Sequence, residues 1–156
     1  PQGLRIGVLN LQGRVRMSSI NCPFLAAREA LKKIHQETKV VIIDFHAEDP
    51  EEKEALALYL DGEVSVLFGT HTHVQTADER ILPKGTAYIT DIGMIGASES
   101  VIGFKPDIAV QRSLTQMPLK MEVSDNPAVA SGIAVEIDAE NGKAKSIERV
   151  LSESVV

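Results

Sequence analysis

The chain has 156 residues, of which 44% are apolar and 24% charged, the balance of an ordinary soluble domain large enough for a core of its own. It contains no apolar run of roughly 18 residues, which excludes a membrane-spanning helix, and its single cysteine, Cys22, excludes an internal disulfide and fits a reducing cytoplasm. A net charge of −6 with 4% aromatic residues argues against general nucleic-acid binding, yet leaves room for a small phosphorylated substrate held through bound metal.

The chain opens Pro1-Gln2-Gly3-Leu4, without methionine, and enters an apolar segment at once, as a start inside a fold would. Residues 4–11 (LRIGVLNL) predict a strand, which Gly13 ends. Residues 23–37 predict a helix with Pro23 at its first position and one apolar face made by Phe24, Ala27, Leu31 and Ile34. Residues 39–46 carry the run Val40-Val41-Ile42-Ile43, whose branching favours a strand covered on both faces. Residues 50–61 give the clearest helix. Asp49 is placed as its N-cap, Pro50 opens it, Glu52 has capping-box spacing and Gly62 stops it. A strand at 64–68 follows, so 39–68 is a strand–helix–strand unit, expected to be parallel and right-handed.

The second half differs in character. Residues 86–90 predict a strand, and residues 92–106, rich in Gly, Ser and Met without a period, predict a loop. Antiparallel strands are expected at 119–124, 131–138 and 143–150, with Asn141-Gly142 as the turn between the last two. No repeat or linker divides the chain, so residues 1–156 read as a single domain of α/β class.

Three of the four histidines fall at equivalent places. His46 ends the strand 39–46, while His71 and His73 follow the strand 64–68. Ligands of parallel α/β sheets gather at the carboxyl ends of the strands. In extended chain residues i and i+2 point the same way, so His-x-His aims two imidazoles at one point, with His46 about 4.8 Å away on the next strand. Imidazole is a common ligand of transition metals, so the three together point to a metal site. A lone His46 would more often be an ordinary core or surface residue, and the His-x-His pair alone favours neither reading; His35, beside the apolar face of the first helix, is read as structural. Metal-bound histidines pass their second ring N–H to a carboxylate or carbonyl, a role open to Glu48 or Asp91. Thr70 and Thr72 are placed to donate to phosphate oxygens or to cap backbone. The acids of 48–54 read as a solvated helix start. Cys22 has no base partner, and Gly93, Gly96 and Gly103 make no dinucleotide fingerprint.

The segment GTHTH at 69–73 resembles the Gly-x-His-x-His signature of calcineurin-like metallophosphoesterases. Together with NLQGRV at 10–15, DFHAE at 44–48 and the long GTHTHVQTADERILPKGTAYITDIGM at 69–94, it resembles the YmdB-type bacterial phosphodiesterases, which act on 2′,3′-cyclic nucleotides. The likeness runs over essentially the whole chain and weakens after residue 115. It implies an α/β sandwich with two metals in one site, Fe or Mn first and Zn or Mg next. It further implies that His46 and His71 bind one ion and His73 the other. The family's acidic and asparagine ligands and its catalytic histidine belong to an N-terminal portion, so the chain corresponds to the C-terminal part of a larger domain, starting about a hundred residues into the pattern.

The expected function is therefore a metal-dependent phosphodiesterase acting on a phosphorylated nucleotide, cytoplasmic, without membrane contact and homo-oligomeric. Two alternatives stand beside it: a mononuclear three-histidine hydrolase, and a non-catalytic segment with an incomplete metal site.

Overall fold

A computed structural model describes residues 3–153. Its centre is a five-stranded sheet in the order β1-β2-β3-β5-β4. Strands β1 (Gly7–Gln12), β2 (Val41–His46), β3 (Val66–Thr70) and β5 (Ala87–Ile89) run parallel, and β4 (Arg80–Ile81) pairs antiparallel with β5 at one edge. Helices α1 (Pro23–Ile34) and α2 (Pro50–Tyr59) make the crossovers, as parallel pairing requires.

Strand β2 shows why its apolar run is continuous. Val41, Ile43 and Phe45 are fully buried towards the helices, in one cluster with Ala27 and Leu31 of α1 and Leu56, Ala57 and Leu60 of α2. Ile42 points the other way, into a second cluster with Val66, Ala87, Ile133, Val135 and Ile147. That second face is covered by a three-stranded antiparallel sheet, β6-β7-β8, formed by Ile95–Ala97, Ala128–Ile137 and Ala144–Glu153. The molecule is thus helix, sheet and sheet in three layers, a mixed α/β fold as expected.

The helix starts follow their sequence signals. Pro23 and Pro50 open α1 and α2, and the Asp49 carboxylate accepts the Glu52 N–H at 3.0 Å. The Glu52 side chain does not close a capping box, however. It reaches across to accept the backbone N–H groups of Arg14 and Val15 at 3.0–3.2 Å, fixing the turn after β1. The solvated helix start expected at 48–54 is therefore wrong in its middle: Glu52 is 8% exposed and Lys53 is fully buried.

The second half departs from expectation in three places. Residues 119–124 form no strand; Val123 alone bridges to Phe104. The loop expected at 92–106 contains β6, whose alternation is too short to see. A third helix, α3 (Pro106–Thr115), follows it unannounced. It buries only Ala109, so no apolar stripe marks it in the sequence. Among the described residues no helix is long and apolar enough to cross a membrane.

Candidate metal centre

The parallel strands deliver their last residues to one edge. His46 ends β2 in register with Thr70, the last residue of β3, and with Gln12, the last of β1. Beyond Thr70 the chain does not stay extended. His71 has φ +105° and His73 φ +67°, both outside the usual range for a side-chain-bearing residue. The alternation expected of His-x-His in a strand is therefore replaced by a tight turn. The turn brings His71 Nδ1 to 3.0 Å from His46 Nε2, with the two rings nearly perpendicular at 87° and their centroids 4.7 Å apart. His73 is exposed on the next residue but one. Among the described residues no three His, Cys, Asp or Glu side chains stand around a common point fit for an ion.

The pair is held by a chain of hydrogen bonds. Asn10 Nδ2 and the Thr70 hydroxyl both donate to the Asp44 carboxylate at 2.8 Å. With its own proton committed there, the Thr70 oxygen accepts from His46 Nδ1 at 3.1 Å. The proton of neutral His46 is thereby placed on Nδ1, and its Nε2 lone pair faces His71. On the far side, Glu48 Oε2 lies 3.2 Å from His71 Nε2, the carboxylate–imidazole contact expected for one of the two nearby acids.

Asp91 takes a different part from the one its position suggested. Its carboxylate reaches no imidazole. Oδ2 accepts the Thr72 backbone N–H at 3.1 Å and the Lys53 ammonium at 3.0 Å, while Oδ1 accepts the Gly93 N–H at 2.9 Å. Asp91 thus holds the backbone between the two histidines. The Thr72 hydroxyl turns back to its own loop, near the Val74 N–H. Gly69 answers for the first letter of the GTHTH motif. A Cβ at this position would stand 1.8 Å from the Thr90 carbonyl oxygen and 2.7 Å from Lys53 Cδ, so the Thr90 backbone, with the lysine stem beside it, leaves room only for glycine.

Further ties fix the loop beyond. The Thr76 N–H donates to the Asp91 carbonyl at 3.0 Å, and the Gln75 amide donates to the Gly132 carbonyl of β7 at 2.8 Å. Burial works to raise the Asp78 pKa, but hydrogen bonds from the Thr76 and Thr90 hydroxyls and the Thr90 N–H outweigh it and hold the carboxyl below its ordinary value.

Sequence reasoning missed Lys53 among the charges that open α2. One signal was available: it stands three, four and seven residues before Leu56, Ala57 and Leu60, on the buried face of the helix.

The donor atoms bear on a metal as follows. Two ligands about 2.1 Å from one ion and at right angles to each other stand about 3.0 Å apart, which is the separation of His46 Nε2 and His71 Nδ1. The two nitrogens are close enough to share an ion, at a separation that is also that of a hydrogen bond. A centre of two dications also needs carboxylates around and between them, and the described residues bring only Glu48 against the pair.

Comparison with known proteins places the chain among relatives. The family model described as YmdB-like protein matches residues 1–150. The 2′,3′-cyclic-nucleotide 2′-phosphodiesterase of Bacillus subtilis is 45% identical over 149 residues, covering 96% of this chain and 56% of that protein. A crystal structure of a hypothetical protein from Thermus thermophilus superposes with a TM-score of 0.91 at 34% identity, over 99% of this chain and 60% of that one. A crystal structure of a novel phosphatase from Mycoplasma pneumoniae gives a TM-score of 0.84 at 36% identity, over 94% and 52%. The chain spans a little over half the length of each.

Proposed function

The chain belongs to the YmdB-like family, and from that premise we propose that it forms the histidine-bearing part of a metal-dependent phosphodiesterase whose substrate is a 2′,3′-cyclic nucleotide. The observation that carries this reading is the convergence of His46 Nε2 and His71 Nδ1 to 3.0 Å at the carboxyl edge of the sheet. The relative from Bacillus subtilis supports the choice of substrate.

In this reading His46 and His71 would hold one ion and His73 a second, with Fe or Mn the preferred metals. Such ions would supply positive charge for the phosphoryl oxygens and a more acidic water as the nucleophile. The chain's own residues keep the ligands ready. Thr70 and Asp44 hold the His46 proton on Nδ1, so that Nε2 remains a lone-pair donor. With an ion on Nδ1, Glu48 would accept from His71 Nε2 and fix the ring. The reading requires carboxylates that balance the charge of two ions, and a group that protonates the leaving ribose oxygen, from outside the described residues.

The test is hydrolysis of a 2′,3′-cyclic nucleotide by the intact protein supplied with Mn or Fe, beside a His71→Ala control. Turnover is expected in the first and its loss in the second. Equal rates in the two would sink the reading.

A further inference from the structure

Resting on that reading, we propose that Lys53 is a positioning residue of the site: through Asp91 it fixes the backbone that presents His71 and His73. Both side chains of this ion pair are fully buried, Lys53 Nζ and Asp91 Oδ2 being 3.0 Å apart. The same Oδ2 accepts the Thr72 N–H, and Thr72 is the residue between the two histidines. The carboxylate's other oxygen accepts from Gly93, which begins the following segment. One buried carboxylate therefore joins α2, the histidine turn and the segment after β5.

The arrangement is expensive for a merely structural contact. Two charges are removed from water, and the pair is often replaceable by apolar residues without loss of stability. What the pair supplies in return is geometry. His71 and His73 both sit at positive φ, a conformation that persists only where the surroundings over-determine it. The Asp91 carboxylate, with the Lys53 ammonium 3.0 Å from it, accepts the Thr72 N–H in the middle of that turn. A neutral side chain would hold it less firmly.

The test uses the intact protein with both partners changed, Lys53→Met together with Asp91→Asn, which removes both charges and keeps the volumes. Four quantities are read: Tm, kcat and KM for a 2′,3′-cyclic nucleotide, and hydrogen exchange of the Thr72 amide against the amides of Val66–Phe68 in β3. Positioning predicts Tm and KM close to wild type, kcat lower by about 10- to 100-fold, and faster exchange at Thr72 with no change in β3. Wild-type kcat with wild-type Thr72 exchange would overturn the proposal. So would faster exchange spread evenly through β3 with a fall in Tm, which marks a structural role only. The exchange comparison needs no turnover, so it tests the positioning role of the Lys53–Asp91 pair even if the wild-type protein proves inactive on cyclic nucleotides and the functional reading fails.

Discussion

Two buried aspartates hold turns at opposite ends of the central sheet, and they are built differently. At the amino ends of β3 and β5, Asp61 accepts the N–H groups of Lys84 and Thr86 at 2.9 and 3.3 Å, while the Thr86 hydroxyl ties Gly62 to Val64. Among the described residues Asp61 makes no ion pair. At the carboxyl ends Asp91 also accepts two backbone N–H groups, but a buried ammonium stands against it. Backbone donors alone suffice to anchor a turn. The extra charge appears only at the end where two histidines face each other across 3.0 Å. On the proposed reading, stability and site geometry are maintained by separable devices in one sheet.

That separation is testable from either end. The largest effect is expected from His71→Ala, which should lower the turnover of cyclic nucleotide by more than the about 100-fold that outlying partners of a metal site carry, with Tm unchanged because the ring is only half-buried. Lys53→Met alone strands the Asp91 carboxylate in the interior and should cost about 3–5 kcal/mol in denaturant unfolding. At the other end, Asp61→Ala leaves two backbone donors unpaired and should cost about 1–3 kcal/mol while kcat stays at the wild-type value. A fall in kcat there, with the fold intact, would break the comparison. Thr70→Val removes the link between Asp44 and His46 and should reduce turnover by about tenfold, with stability little altered.

The smallest effect concerns pH. Asp78 has its pKa lowered in the folded protein, so it stabilises the fold above the unfolded carboxyl value of 3.8 and loses that contribution as the pH falls through its folded value. The stability difference between wild type and Asp78→Asn should therefore be present at neutral pH and vanish on acidification below 3.8. A difference that grows on acidification would contradict the assignment.

The sequence announced the first half of the fold more fully than the second, and the reason is physical. Strand β2 lies between two layers and so opens on a continuous apolar run, and α2 is announced by Asp49 and Pro50. The layer β6-β7-β8 covers only one face of the central sheet, and α3 buries a single alanine, so weaker patterns mark them. At the site, the edge that carries His46 and His71 could be read from strand ends alone. The turn at positive φ could not, because neither histidine is a residue that advertises it. Nor could the partner of Asp91, since a lysine in a charged helix start looks solvated until the helix face is counted.

The central claim is that this edge belongs to a metal-dependent phosphodiesterase site. Its most direct test is the metal content per chain of the intact protein, measured by mass spectrometry after desalting, with His46→Ala as the control. The account predicts about two transition-metal ions per chain and a clear loss in the variant. No bound metal in the wild-type protein under conditions where it hydrolyses a cyclic nucleotide would contradict it.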